Sequence, residues 1–297
     1  MSHLRCLLYC LLLLTGCGPA PQQAPDTGNS FSFVDDAGNT ITLPHPPRSV
    51  ISLAPNLTEL LYAIDAGDLV TAVSLADDYP PAVDTLPRYS SYPMDFEALV
   101  GYGPDLLIAT DAINNPRDAE QFTSVGLKIA YFSFKSWADI PRVMRALGDI
   151  TDRSTAATQA ADALDAQRMA IQQKTAAVKP TRALFLIGSD QLYAFGRDNY
   201  IHEAIAIAGG KSLTDSLAAV SPILSEEFVL TAQPDVILGS IQGAAQLLTH
   251  HPAFENVPAL ANDRVCTVDG SLVLRPGPRL LEGITAMARC MHPELFE

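Results

Sequence analysis

Glu97-Ala-Leu-Val-Gly-Tyr-Gly-Pro-Asp-Leu-Leu-Ile108 and Glu227-Phe-Val-Leu-Thr-Ala-Gln-Pro-Asp-Val-Ile-Leu238 follow one pattern. Each opens on an acid, makes one or two amphipathic helical turns, stops at a proline and passes through Asp into an apolar run suited to a buried strand. Helix-Pro-Asp-strand is common in α/β chains, and chance is the competing explanation. Read as a duplication, the pair puts Glu97 with Glu227, and Pro104 with Pro234, at equivalent places in two similar lobes.

The surrounding sequence extends this grammar. Phe31-Ser-Phe-Val34 and Thr40-Ile-Thr-Leu43 flank a turn at Asp35-Asp-Ala-Gly-Asn39 and read as a hairpin. Ser49 to Leu53 is an apolar run for a buried strand. A helix follows, with Asn56 as its cap, Glu59 completing a capping-box-like pair and Gly67 as its stop. Leu69 to Ser74 returns to strand, so strand, helix and strand alternate as in a largely parallel sheet. Beyond Pro180, Arg182–Ile187, Asp235–Gly239 and Arg264–Val268 read as strands. Asn199–Ala208, Ser225–Ala232 and about Pro278–Met291 read as helices.

Between the two halves, Asp152 to Lys179 contains no Gly or Pro and is rich in Ala and Gln. It reads as one helix, roughly 40 Å long at 1.5 Å per residue. The expected fold class is therefore α/β: two Rossmann-like lobes joined by one long rigid α-helix, with a ligand cleft between the lobes. The units expected are 1–16, 17–30, 31–151, 152–179 and 180–297. A stiff spacer of this kind permits little closure.

The chain has 297 residues, of which 48% are hydrophobic and 18% charged, enough to bury substantial cores. Its 19 Lys+Arg against 33 Asp+Glu give a formal charge of −14, which argues against a nucleic-acid partner. At the N-terminus Arg5 precedes the apolar run Leu7–Leu14 and then Thr15-Gly16-Cys17. That run is too short to span a bilayer as a helix and reads as a signal peptide over 1–16. Leu14-Thr-Gly-Cys17 resembles a lipoprotein lipobox, with Cys17 lipidated as a membrane anchor; an uncleaved signal anchor is the other reading. Residues 17–30, with three prolines and no large apolar side chain, suit a tether. Cys266 and Cys290 are the cysteines left over. In an oxidising compartment they form one possible disulfide, and two separate free thiols are the alternative.

Enzyme signatures fail at residues their chemistry requires. Gly209-Gly-Lys-Ser212 lacks the first P-loop glycine, that position being Ile205. His202-Glu203 has Ala206 where a zinc-binding helix needs its second histidine. Gly188-Ser189 lacks the flanking glycine of a nucleophile elbow. The pair His250-His251 reads as a surface loop before Pro252 rather than as a metal site.

Pro47-Arg-Ser-Val-Ile-Ser-Leu-Ala-Pro-Asn-Leu-Thr-Glu59, the paired Glu-x₆-Pro-Asp motifs, the long central helix, Gly196-Arg-Asp-Asn199, Ala208-Gly-Gly210 and Arg275-Pro-Gly-Pro-Arg279 together resemble the helical-backbone class of periplasmic binding proteins, over about residues 31–297. That class serves importers of the ATP-binding-cassette type for cobalamin, ferric siderophores and haem. Ser74-Leu-Ala-Asp-Asp-Tyr-Pro-Pro81 and Arg275–Arg279 look closest to cobalamin binders. The resemblance implies an exported, membrane-anchored monomer without catalytic activity or cofactor, capturing a metal chelate for a permease dimer. It places Tyr92, Tyr193, Ser221, Ser271 and Arg275 at the cleft, with Tyr89 and Phe195 beside them. It also implies that Glu97 and Glu227 dock on permease arginines. The chain departs from the cobalamin pattern in holding Ala76, Ser91 and Ser221 where aromatic side chains line that pocket. A ferric-siderophore or haem receptor is the alternative, with Arg88, Arg197 and Arg275 neutralising an anionic chelate and Tyr92 or Tyr193 ligating haem iron. A lipid-anchored hydrolase is the remote one.

Overall fold

The computed structural model describes residues 30–296. The expected signal peptide, Cys17 and all but the last residue of the expected tether lie outside the described residues.

The first lobe contains β1 (Phe31–Val34), β2 (Thr40–Leu43), β3 (Val50–Ser52), α1 (Pro55–Ala63), β4 (Val70–Ser74), β5 (Arg88–Tyr89), α2 (Phe96–Tyr102), β6 (Leu106–Thr110), α3 (Ala119–Ser124), β7 (Ile129–Phe132) and α4 (Asp139–Ile150). After α5 (Ser154–Thr175), the second lobe contains β8 (Thr181–Leu186), α6 (Tyr200–Ile207), β9 (Gly210–Ser212), α7 (Glu226–Ala232), β10 (Val236–Gly239), α8 (Ala244–His250), α9 (Pro258–Ala261), β11 (Val265–Thr267), α10 (Gly270–Val273) and α11 (Leu280–Met291). The sheets run β5-β4-β3-β6-β7 and β11-β10-β8-β9, with every pair parallel. Read from the other edge, β9-β8-β10-β11 repeats the order of β4-β3-β6-β7, so the two lobes share one topology.

The paired motif has the same structural role in both lobes. Gly103 and Gln233 close α2 and α7 in the left-handed region, at φ 57° and 45°. After the proline, Asp105 Oδ2 accepts the backbone N–H groups of Arg48 and Ser49 at 2.8 and 3.2 Å, and Asp235 Oδ2 accepts that of Arg182 at 3.2 Å. Each aspartate thus stitches the start of one strand (β6, β10) to the start of its neighbour (β3, β8).

Because side chains alternate along a strand, each sheet has two apolar faces. Leu107 and Ala109 of β6 join a cluster on the outer side of the first lobe, and Leu184, Leu186 and Ile237 join its counterpart in the second. The opposite faces meet in one continuous core. Leu106 and Ile108 lie there with Phe185 and Leu238, together with Leu57 and Leu61 of α1, Leu147 of α4, Leu164 of α5, Ile201 and Ile205 of α6, and Ile284 and Met287 of α11. The lobes are therefore fused through their inner helices as well as linked in sequence.

Several local expectations change. The linking helix is 22 residues rather than the full run 152–179, about 33 Å long. Asp152, at φ 59°, breaks the backbone before it, which lets α5 fold back along α4. Asn56 does not cap α1: the helix starts at Pro55, a residue suited to the first helical position, after Ala54. Gly210-Lys-Ser212 is the edge strand β9. His251 is not on an open loop: it is mostly buried, with Nδ1 2.7 Å from Glu226 Oε1.

Glu59, released from any capping role, is buried between the lobes. Arg279 donates to it through Nε (3.0 Å) and Nη2 (2.6 Å), and Arg275 Nη1 lies 3.4 Å away. Asn56 Nδ2 donates to the Pro276 carbonyl nearby, and on another flank the Trp137 N–H donates to Glu203 Oε2 at 2.7 Å. Cys266 of β11 and Cys290 of α11 are disulfide-bonded, with Cα atoms 6.4 Å apart.

Two stability predictions follow from these contacts. Replacing both cysteines by Ser opens a covalent loop with a sequence separation of 24 residues and should cost about 3 kcal/mol in denaturant unfolding; an unchanged midpoint would show that the bridge constrains nothing. Glu59→Gln leaves two largely buried arginines without their shared carboxylate and should cost about 3 kcal/mol. A loss below about 1 kcal/mol would mark the pair as equivalent to a surface bridge.

Candidate ligand cleft

In sheets of this kind ligands sit outside the carboxyl ends of the strands, where the strand order reverses. In the first lobe the loops there follow β4 (75–79), β5 (90–95) and β6 (111–115). In the second they follow β8 (187–196), β9 (213–224), β10 (240–243) and β11 (268–279). Exposed large apolar side chains gather on them: Leu75, Tyr79, Tyr92 and Ile113 from one lobe, Tyr193, Val220 and Ile223 from the other. An apolar rim of this sort costs solvation unless something covers it.

Tyr92 is 96% exposed and stands at the tip of the turn closed by the Ser91–Met94 bridge. Tyr193 is 40% exposed and pairs through its backbone with Ile223. The Ala194 N–H donates to Pro222 O at 3.0 Å and the Gly196 N–H to Val220 O at 2.9 Å, so the 193–196 and 220–223 loops are zipped together. Ser221 is exposed on that zipper. Gly196 has to be glycine because a Cβ there would collide with the Ala219 carbonyl. Ser271 is half-buried in the first turn of α10, its N–H donating to Asp269 Oδ1.

Two neighbouring residues are not ligand faces. Tyr89 is buried and its hydroxyl donates to the Ser52 carbonyl at 2.5 Å; burial pushes that phenol far above its usual range. Phe195 packs against Phe185 and Tyr200 in the core. Two of the three arginines are likewise committed. Arg88 bonds the carbonyls of Ser74 and Asp77 and the carboxylate of Asp84, whereas Arg197 is 60% exposed and lies 3.9 Å from Asp198, beyond hydrogen-bond reach. Arg275, mostly buried, reaches back across the lobes to Asp78 Oδ1 at 2.5 Å, Asp78 Oδ2 at 3.3 Å and the Ala76 carbonyl at 3.1 Å, besides Glu59.

That cluster pairs both arginines with acids at the junction of the lobes: Arg275 with Asp78 and Glu59, and Arg279 with Glu59 and, electrostatically, Glu282. The hydrogen bond from Arg275 holds the Asp78 carboxyl below the usual range, against the opposing effect of partial burial. Burial disfavours the Arg275 cation, but Asp78 and Glu59 outweigh it and raise its pKa. Arg279 also lies over the Tyr79 ring, 4.2 Å from its centroid. The sequence reading gave Glu59 a helix-capping role and Asp78 none, since their true partners are some 200 residues away. Beside β8 and β10, where strand order reverses, is a polar recess of about 420 Å³ whose lining includes Ser189, Asp190, Gln242, Gln246 and His250.

Glu97 and Glu227 are both exposed and both second in their helix, behind the caps Asp95 and Ser225, which accept the N–H groups of Ala98 and Phe228. The two lobes therefore present them in matching local frames. Ser212 and His202 are hydrogen-bonded at 2.9 Å, but the other ring nitrogen meets the Gly196 carbonyl instead of an acid, and Ser212 is buried. The pair lacks the carboxylate that would orient a catalytic histidine.

A family model described as Periplasmic binding protein matches residues 50–272. The vitamin B12-binding protein of Vibrio vulnificus is 30% identical over 248 residues, 83% of this chain and 90% of that one. An uncharacterized ABC transporter substrate-binding lipoprotein of Bacillus subtilis is 26% identical, covering 98% of this chain and 96% of its own length. Among solved structures, the periplasmic vitamin B12 binding protein of Vibrio cholerae aligns with a TM-score of 0.74 at 26% identity, covering 83% of this chain and 97% of that one. The periplasmic haem-binding protein of Roseiflexus sp. RS-1 aligns with a TM-score of 0.73 at 25% identity, covering 84% and 99%. With the family match spanning both lobes and these relatives aligned along most of its length, the chain belongs to the periplasmic binding protein family.

Proposed function

We propose that this protein is the substrate-binding component of an ABC importer, capturing a corrinoid and delivering it to a permease dimer. The observation that carries the ligand reading is the chemistry of the strand-end loops: apolar and aromatic side chains from both lobes, beside arginines whose charge is already balanced. A large, weakly charged macrocycle fringed with amides suits that combination. Tyr92 and Tyr193 offer flat faces, Ser221 and Ser271 offer hydroxyls, and the recess at Ser189, Asp190 and Gln242 offers donors and acceptors to amide arms. A ferric siderophore or haem is the second reading, supported by the likeness to the Roseiflexus protein. It asks for free cations to meet carboxylates, and Arg88 and Arg275 are spent on internal partners.

Delivery rests on the paired helices. Glu97 and Glu227 give one anionic knob per lobe, a match for a permease dimer with one basic pocket on each subunit. Cys17 as the lipid attachment point, with 17–30 as tether, would hold the protein at the membrane outside the cytoplasm, and the lipoprotein description of the Bacillus relative supports this.

Titrating the protein with dicyanocobinamide, cyanocobalamin, haemin and a ferric hydroxamate, followed by visible absorption and calorimetry, tests the ligand. A corrinoid should bind tightest, and Tyr92→Ala or Tyr193→Ala should weaken it about tenfold while the Phe variants retain affinity. Loss of a haemin spectral signature in the Phe variants would instead assign iron ligation. Glu97→Lys with Glu227→Lys should abolish uptake and leave ligand affinity unchanged; normal uptake by the double variant rejects the docking role.

A further inference from the structure

Asp78 sits where the ligand reading and the clamp between the lobes meet. It lies on the loop leaving β4, Arg275 on the segment after α10, and both are at the carboxyl-end side of their sheets. The guanidinium side chain is 18% exposed and the Asp78 carboxylate 60% exposed, so the acid forms the outer, solvent-facing half of the pair. Beneath them Glu59 is already satisfied by two bonds from Arg279, and its contact with Arg275 is long, at 3.4 Å. Arg275 therefore owes most of its neutralisation to one surface carboxylate rather than to the buried one.

We propose that Asp78 is a specificity-determining residue that masks the Arg275 cation, so that the cleft floor discriminates against anionic chelates in favour of weakly charged macrocycles. This rests on the importer reading above, though not on which ligand the wild-type protein prefers. Asp78 is the carboxylate paired directly with Arg275, whereas Glu59 and Glu282 act on Arg279. Without Asp78, Arg275 keeps, among acids, only its long contact with Glu59 and becomes a planar donor suited to bidentate carboxylate recognition. The hydrogen bond from Arg275 that lowers the Asp78 pKa keeps the mask ionised at neutral pH.

Asp78→Asn removes the charge and nearly preserves the shape. Affinities for haemin and ferric citrate, both anionic, and for neutral dicyanocobinamide are measured by calorimetry for each variant. The ratio of anionic to neutral affinity should rise about tenfold in Asp78→Asn, return to the wild-type value in Asp78→Asn with Arg275→Gln, and stay at that value in Asp78→Glu. An unchanged ratio in an Asp78→Asn protein of wild-type melting temperature overturns the proposal. So does a rise that persists in the double variant, because the effect would then be only a general field. The ratio reports on the mask, while the absolute preference of the wild type reports on the corrinoid reading, so each can fail alone.

Discussion

Glu59 lies on the first helix of the first lobe, and its carboxylate accepts hydrogen bonds from Arg279 and Arg275 in the segment that leads into α11 of the second. A buried acid requires cations close by, since taking a charge from water costs several kcal/mol unless it is paired and hydrogen-bonded. Meeting that requirement fixes the position of the 275–279 segment against α1. The apolar core shared by both sheets then fills in around this contact, and α5 packs along α4 while reaching α6 and α11. A relative rotation of the lobes would have to break the ion pairs and open a continuous core. The two lobes are thus held against each other by the ion pairs and the shared core.

The same contact shapes the chemistry of the cleft. Arg275 would, on charge alone, be an anchor for an anionic ligand. Its donors are instead occupied by Asp78, Glu59 and the Ala76 carbonyl, and Arg88 is similarly drawn into the loop after β4. Much of what remains open to solvent on these loops is apolar and aromatic, beside the exposed Asp78 carboxylate and Arg197. The duplication supplies the other half of the design. Identical strand orders bring α2 and α7 to corresponding places, and their caps leave Glu97 and Glu227 exposed. The strand-end loops and the two acidic helices are set by the same repeated unit.

Much of the architecture was legible in the sequence because it is encoded locally. Helix, proline, aspartate and strand follow one another within a dozen residues in each lobe, and the aspartate's role in stitching neighbouring strands explains why it recurs. Short apolar runs identified the buried strands, and Ser225, which opens the expected helix 225–232, caps α7 as its residue type suggests. Asn56 and Glu59 misled because a capping box and an ion pair across the lobes use the same residue types. The proline at 55, favoured at a first helical position, was the signal that pointed the other way. Tyr89 and Phe195, expected beside the cleft residues, turn into the core; which face an aromatic side chain turns is not carried by local sequence.

The α/β class, the repeat, the paired glutamates and the lack of intact P-loop, zinc-helix or nucleophile-elbow motifs could be read along the chain, since each depends on residues close together in it. That Arg275 is held by Asp78, that Glu59 joins the lobes, that the lobes share one core and that Cys266 and Cys290 are bridged required the folded molecule. These depend on which side chains meet across distances of tens to hundreds of residues. That is set by how the sheets and helices pack together, and no local pattern carries it.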